Sequence, residues 1–203
     1  MSILSYNRLV QLVEQGIITA NKKQINGSSI DITLHNLIRV EDPQALQNKP
    51  IDLAIKGSIA TIEFDMSKNS LDKHDPQDSS INKCGYILRP DEFILASSIE
   101  FFNLPNNISA EYKLKSTMAR NALEHFNAGW CDATWNGSRL TLELKNMSRY
   151  HKLIIRPGMP IGQVIFYEHE AVPDHKAYKN CGQYNNQITV TESKGIRLGV
   201  END

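Results

Sequence analysis

The stretch GYILRPDEFILASSIEFFNLP, residues 85–105, decides the fold class of this chain. It contains two mostly apolar runs on either side of RPDE, residues 89–92, and a turn that contains proline ends one extended run and starts the next. The stretch KLIIRPGMPIGQVIFYE, residues 152–168, repeats this arrangement around RPGM, residues 156–159. Each stretch therefore predicts two strands joined by a turn.

Other segments extend the β pattern. SSIDITLHNLIRV, residues 28–40, alternates apolar and polar residues from Ile30 to Leu34, which is the period of a half-buried strand. One short amphipathic helix is predicted between Ser5, whose side chain can cap it, and Gly16, which can end it. Many short strands with few helices predict an all-β barrel or sandwich.

The composition fits one globular domain, residues 1–203, with 40% hydrophobic residues and a formal net charge of −1. This balance gives no general attraction for nucleic acid or an acidic membrane, so we expect neither as a partner, and a local cluster should bind any anionic ligand. The sequence has no stretch of about 18 apolar residues, and we expect a soluble, cytoplasmic protein. The polar run at 65–80 predicts a loop, and the pattern at 173–203 predicts a mobile C-terminal tail.

Several common catalytic signatures are missing from the sequence. The chain has an odd number of cysteines, and none of them are in C-x-x-C spacing: Cys84, Cys131 and Cys181. This pattern argues against a disulfide framework and a zinc site. None of the six histidines is followed two residues later by Glu, so the H-x-E signature of zinc-dependent deaminases is absent. Neither a G-x-x-x-x-G-K-[ST] loop nor a G-x-G-x-x-G fingerprint occurs, and nothing near Cys131 indicates a thiol of lowered pKa.

The segment LKSTMARNAL, residues 114–123, gathers cations and hydroxyl groups. A single helical turn would place Ser116 and Arg120 on one face with Lys115 beside them, which suits an anion. The alternative is a solvated surface turn.

A carboxylate lies inside a predicted strand in LTLELKN, residues 140–146. Strand periodicity places Leu140, Leu142 and Leu144 on one face and Glu143 on the other. Glu143 is then either a functional carboxylate or a surface residue paired with a lysine.

Together, KSTMAR and AGWCDATWNGSRLTLELKN, residues 128–146, resemble the paired motifs of the dCTP deaminase family, which is related to the trimeric dUTPases. That family carries Arg-Ser-Ser-Leu-Ala-Arg and then Ala-Gly-x-Ile-Asp-Pro-Gly-Phe-x-Gly-x-Ile-Thr-Leu-Glu. Weaker similarities follow in the same order along the chain, in INGSSIDITLHN, LRPDEFILASSIE, RPGMPIGQVIF and QYNNQ. The resemblance implies a distorted jelly-roll or β-barrel of the dUTPase-like type, with a short N-terminal helix and a tail that closes over the active site.

The resemblance also implies a chemistry: zinc-independent hydrolysis of dCTP to dUTP and ammonia. Glu143 would be the general base, Arg120 would keep it ionised and aimed, and Ser116 would position water or phosphate. Asp132 would hold the deoxyribose 3′-hydroxyl. The substrate-binding residues implied by the match are Lys115, Ser116, Thr117, Ala119, Arg120, Asp132, Thr141, Leu142, Glu143, Tyr178, Gln183 and Gln187.

The implied assembly is a homotrimer with active sites shared between subunits and with dCTP or dUTP as ligand. Mg²⁺ would be bound through the triphosphate, with no protein metal ligand and no zinc. Trp130 and Trp135 are expected in the core or an interface, and no role is assigned to His125.

Two other functions remain open at this point. The first is dUTP hydrolysis, alone or combined with deamination, in which Asp132 would activate water for attack on the α-phosphorus. The second is a nucleotide-binding regulator without turnover, suggested by Lys115 in place of the family's arginine and by the altered turn DAT, residues 132–134.

Overall fold

The computed structural model describes residues 2–45, 50–71 and 83–196. Over these ranges the protein is mostly β with three short helices. The strands are β1 (Ser2–Ile3), β2 (Ile30–Thr33), β3 (Leu37–Glu41), β4 (Thr61–Asp65), β5 (Tyr86–Leu88), β6 (Phe93–Asn103), β7 (Ile108–Leu114), β8 (Leu123–His125), β9 (Trp130–Cys131), β10 (Asn136–Asn146), β11 (Leu153–Ile155) and β12 (Pro160–Glu168). The helices are α1 (Tyr6–Glu14), α2 (Ser116–Arg120) and α3 (Tyr178–Cys181).

The strands form two five-stranded sheets and one strand pair. One sheet has the order β1-β12-β7-β9, with β2 also paired to β12. The other has the order β4-β3-β6-β10-β8, and β5 pairs with β11 separately. The predicted all-β fold is confirmed, although neither five-stranded sheet closes on itself within the described ranges.

Both proline turns lie where the sequence predicts them. The first separates β5 from β6, and the Glu92 carboxylate closes it by accepting a hydrogen bond from the Arg89 amide at 2.6 Å. The second separates β11 from β12, where Gly158 has φ +81°, a conformation that glycine adopts without strain. These turns start the long strands β6 and β12, one in each sheet.

The prediction of one strand over residues 28–40 is wrong in one respect, because the segment forms two strands. β2 pairs with β12 in the first sheet, whereas β3 pairs with β4 and β6 in the second. Between them, the amide of His35 donates to the carbonyl of Ser97 at 2.8 Å, so the chain crosses from one sheet to the other. Asn36 and Leu37 interrupt the alternation of apolar and polar residues at this crossing, and the prediction of one strand did not take that break into account.

Helix α1 is confirmed between Ser5 and Gly16, and it buries Leu9 and Leu12 completely. Ser5 is the N-cap residue by position, but its side chain makes no capping hydrogen bond, which corrects that part of the prediction. Gly16 follows the helix with φ +71°.

The core lies between the two sheets. Phe102 from β6 and Phe166 from β12 are its largest fully buried side chains, and burying each contributes about 2–3 kcal/mol. Part of the predicted loop at 65–80 is a 3₁₀ turn at Met66–Lys68, and residues 72–82 lie outside the described residues. In the described part of the chain, no helix is long and apolar enough to cross a membrane.

Candidate active site

A cavity of about 470 Å³ opens beside β10, which is a usual size for a small-molecule site. Strands β6, β9 and β10 contribute to its walls, together with residues 53–61 and the C-terminal segment. Five of the predicted site residues line it: Asp132, Thr141, Glu143, Tyr178 and Gln187. The other seven do not line it in this chain: Lys115, Ser116, Thr117, Ala119, Arg120, Leu142 and Gln183.

Strand β10 places Glu143 in the cavity wall. Its burial alternates residue by residue, so Leu142 and Leu144 enter the core while Thr141 and Glu143 face the cavity. The predicted alternation in residues 140–146 is therefore confirmed. Leu142 is completely buried and pairs with Ala96 of β6, so it does not face the cavity.

One edge of β10 is open at Thr141. Strand β8 pairs only with Leu144–Asn146, and on the same edge the amide of Arg139 donates to the Gln187 carbonyl at 2.8 Å. Farther along this edge, the amide of Phe126 approaches the carbonyl oxygen of Glu143 at 3.4 Å. Because alternate residues present their backbone groups to the same edge, the amide and carbonyl of Thr141 point into the gap between these contacts.

Three buried polar atoms in the cavity wall have no hydrogen-bond partner among the described residues. They are Thr141 Oγ1, Glu143 Oε2 and Gln187 Nε2. Buried polar atoms are normally hydrogen-bonded, because leaving one unpaired costs about 1–3 kcal/mol. A hydroxyl, a carboxylate acceptor and an amide donor at one wall are suited to a planar polar ligand.

His125 is a neighbour of Glu143 that the sequence analysis missed. Its Nε2 lies 3.3 Å from Glu143 Oε2, but the contact lacks hydrogen-bond geometry, and the His125 side chain is only 3% exposed. The His125 ring packs against Tyr112, with ring centroids 4.6 Å apart. Burial, and then the negative charge of Glu143, raise the pKa of Tyr112, so its hydroxyl stays protonated beside the pair.

Asp132 follows β9 and is held by Trp130. The indole Nε1 of Trp130 donates a hydrogen bond of 2.8 Å to Asp132 Oδ1. Trp130 is 53% exposed, whereas Trp135 is buried and packs on Phe102, with ring centroids 5.3 Å apart. The expectation of a core position is therefore confirmed for Trp135 alone, and both indoles also line the cavity.

The C-terminal segment lies along the cavity. The Trp135 indole donates to the carbonyl of Tyr184 at 2.6 Å, and the Gln187 amide donates to Ser138 Oγ at 3.1 Å. Tyr178 and Gln187 therefore line the cavity, whereas the Gln183 backbone carbonyl accepts a hydrogen bond from Lys194. The segment thus forms part of the cavity wall. Its mobility and its closure over a ligand stay predictions.

The segment at residues 114–123, which is predicted to bind an anion, does not line the cavity. The predicted helical turn is confirmed as α2, and Ser116, Thr117, Ala119 and Arg120 are exposed. Lys115 forms a 2.7 Å ion pair with Asp31.

Within the described ranges, no ion pair joins Arg120 to Glu143. The predicted support of Glu143 by Arg120 is therefore not formed within this single chain.

The described residues contain no group of three His, Cys, Asp or Glu side chains that could hold a metal ion. The expectation of a Mg²⁺ ion bound through the triphosphate stays a prediction. Cys131 is buried, and burial raises the pKa of its thiol to about 12. A raised pKa favours the neutral thiol, which is a poor nucleophile.

Comparison with known proteins identifies the family. A family model described as "dCTP deaminase-like" matches residues 3–169. The "dCTP deaminase, dUMP-forming" of Methanospirillum hungatei is 33% identical over 181 residues, covering 88% of this chain and 86% of that protein. The protein of the same description from Persephonella marina is 32% identical over 197 residues, covering 95% and 96%. The chain belongs to the dCTP deaminase-like family, as the motifs predict.

The fold is shared with a solved member. The crystal structure of 2′-deoxycytidine 5′-triphosphate deaminase from Agrobacterium tumefaciens superposes with a TM-score of 0.59 at 17% identity, covering 84% of this chain. The match spans 49% of that structure's chain. At this identity the similarity supports the fold alone, and it confirms the predicted dUTPase-like type.

Proposed function

We propose that the protein is a dCTP deaminase that converts dCTP to dUMP, with deamination as the first step. The three unpaired polar atoms at one cavity wall carry this proposal, since they supply a carboxylate, a hydroxyl and an amide next to an open strand edge. The relatives from Methanospirillum hungatei and Persephonella marina are described as dUMP-forming, which favours dUMP over the dUTP expected from the sequence.

Recognition of the base is assigned to β10. The backbone amide and carbonyl of Thr141 offer one donor and one acceptor to the edge of the cytosine ring, as a neighbouring strand would. The Gln187 amide nitrogen supplies a further donor from the C-terminal segment. Asp132 accepts from the 3′-hydroxyl of the deoxyribose.

Deamination is assigned to Glu143. Its carboxylate takes a proton from water as the water oxygen bonds to C4, and it transfers that proton to N3. It then moves the hydroxyl proton of the tetrahedral adduct to the amino group, and the C4–N bond breaks to release ammonia. One carboxylate thus serves all three transfers, and the thiol of Cys131 is not needed.

A second hydrolysis gives dUMP. Water attacks the α-phosphorus of dUTP and the bond to pyrophosphate breaks, with Asp132 as the carboxylate that positions this water. Mg²⁺ carried on the phosphates would neutralise their charge. The residues of this chain would bind and orient the nucleotide and move the protons.

The complete site requires more than one chain. Lys115, Ser116 and Arg120 lie outside the cavity of their own chain, and Ser116 and Arg120 are exposed. We assign them to the cavity of a neighbouring copy in a homotrimer, where Arg120 would meet Glu143 and Lys115 would meet phosphate. A shared site would give a role to the exposed Ser116 and Arg120, and to Lys115, whose ion pair within its own chain is with Asp31.

A product assay tests the proposal. Purified protein is incubated with dCTP or dUTP and Mg²⁺, and ammonia, dUTP, dUMP and pyrophosphate are measured over time. Ammonia and dUMP from dCTP are expected, and treatment with a zinc chelator followed by Mg²⁺ should not change the rate. Accumulation of dUTP would restrict the enzyme to deamination, and binding without any product would indicate a regulator.

A further inference from the structure

We propose that Trp130 is a positioning residue that fixes the Asp132 carboxylate, so that the protein discriminates for a nucleotide carrying a 3′-hydroxyl. The inference rests on the proposed function for the identity of the ligand. It assigns to the indole a role that the family motif does not specify, since position 130 is the variable position of that motif.

The local geometry places the two side chains together. Trp130 and Asp132 are two residues apart on an extended segment, with the buried Cys131 between them, so both project from the same face. The indole Nε1 donates to Oδ1 at 2.8 Å, which is a charge-assisted hydrogen bond to a carboxylate. This bond fixes the rotation of the carboxylate before a ligand binds.

The bond leaves one oxygen for the ligand. Asp132 lines the cavity, and its Oδ2 has no hydrogen bond from any residue in the described part of the chain. An acceptor held at one angle binds a hydroxyl donor with less loss of side-chain entropy than a freely rotating one. The missing 3′-hydroxyl of a dideoxynucleotide would leave this oxygen without its partner.

The indole is itself held by neighbours outside the cavity. The ring packs against Tyr167, with centroids 5.9 Å apart, and the Tyr167 hydroxyl donates to Glu111 at 2.8 Å. The backbone of Trp130 also pairs with that of Glu111 in the register of β9 and β7. The ring contact with Tyr167 therefore holds the indole independently of Asp132.

Trp130→Phe separates the hydrogen bond from the ring, because it removes the indole N–H and keeps an aromatic group. Binding of dCTP and of 2′,3′-dideoxycytidine triphosphate is measured by calorimetry in the Glu143→Gln background, so that turnover does not interfere. We expect dCTP to bind about five- to tenfold more weakly, because the charge-assisted hydrogen bond from its 3′-hydroxyl to Asp132 is misaligned. The dideoxynucleotide lacks this bond and should bind with unchanged affinity. Tyr167→Phe, which keeps the indole N–H, is the matched control and should leave both affinities unchanged.

A double variant tests whether Trp130 acts through Asp132. Asp132→Asn should itself abolish the preference for the 3′-hydroxyl, and adding Trp130→Phe should then have no further effect on dCTP binding. Equal weakening of both nucleotides by Trp130→Phe would overturn the inference, as would an unmutated cavity that binds both nucleotides equally well. The result is separable from the proposed function: an unmutated protein that shows this discrimination but releases no ammonia refutes the deaminase and leaves the role of Trp130 standing.

Discussion

His125 Nε2 lies 3.3 Å from Glu143 Oε2, and neither atom has a hydrogen-bond partner among the described residues. The two come together because β8 pairs with β10 in a register that sets His125 opposite Leu144, next to Glu143. The imidazole therefore limits the rotation of the carboxylate toward the core and leaves the cavity as its open side. This relationship makes Glu143 a positioned group in the cavity.

Replacing Glu143 by Gln removes the proposed base and keeps its shape. We expect deamination of dCTP to fall by about 10² or more, because a general base typically contributes at least that factor. Nucleotide binding measured by calorimetry should persist. Glu63→Gln, at an exposed carboxylate on β4, is the control and should keep full activity. Normal turnover by the Glu143 variant would refute the mechanism.

Replacing His125 by Gln should affect turnover and leave binding unchanged. A carboxylate without its buried neighbour samples unproductive angles, so we expect kcat to fall about tenfold or more while KM stays within about twofold. Steady-state kinetics on dCTP measures both constants. The same substitution at the exposed His151 should have no effect. An unchanged kcat at position 125 would show that the contact has no role in catalysis.

The sequence predicts the elements whose causes are local. The turns at 89–92 and 156–159 and the alternation along β10 follow from proline and from strand periodicity, and the structure confirms them. The motifs also placed Asp132 and Glu143 at one site. These features depend on residues that are near one another in the chain.

The remaining features depend on pairings between distant segments. The register of β8 against β10 brings His125 to Glu143, and no local pattern encodes it. The chain changes sheets at His35, and the strands that pair on either side of it, β12 and β6, are distant in the sequence. The proximity of Trp130 to Asp132, in contrast, follows from the sequence, because residues i and i+2 of a strand lie on the same face.

Cys131 should be inert toward thiol reagents in the folded protein. Burial raises the pKa of its thiol from 9.0 to about 12, so the reactive thiolate is scarce at pH 8. Because the pKa of the thiol is higher in the folded than in the unfolded protein, folding favours the neutral thiol. The resulting contribution to the free energy of unfolding is complete below pH 9 and is lost between pH 9 and about 12.

Labelling at pH 8 followed by mass spectrometry checks this expectation. The exposed Cys181 should react first, and Cys131 only after unfolding. Cys181→Ser is the control and should remove the fast phase. Rapid modification of Cys131 in the folded protein would contradict its assignment as a buried neutral thiol.

Lys115 and Arg120 should have different effects if α2 meets a substrate. Lys115→Ala should mainly raise KM for dCTP, and the loss should depend on salt, because an ammonium group neutralises phosphate charge. Arg120→Ala should lower kcat, and Arg120→Lys should not restore it, because only arginine offers a two-pronged contact to a carboxylate.

The ion pair of Lys115 with Asp31 supplies the control for this comparison. Asp31→Asn breaks the ion pair and keeps the Lys115 ammonium group. If Lys115 acts through phosphate, the KM for dCTP should therefore not rise in that variant. Small and equal effects at Lys115 and Arg120, with stability changes of about 0.5 kcal/mol, would identify α2 as a solvated surface turn.

Mixing two inactive variants tests whether the site is shared. Arg120→Ala chains keep Glu143, and Glu143→Gln chains keep Arg120, so a trimer containing both has some sites with both groups intact. Random assembly of an equal mixture after co-refolding should restore about a quarter of the normal deamination rate, since each site draws the two groups from different chains. Sedimentation of the mixture should give a particle of three 22.9 kDa chains. If Arg120 and Glu143 act within one chain, every site in the mixture lacks one of them, and no activity returns.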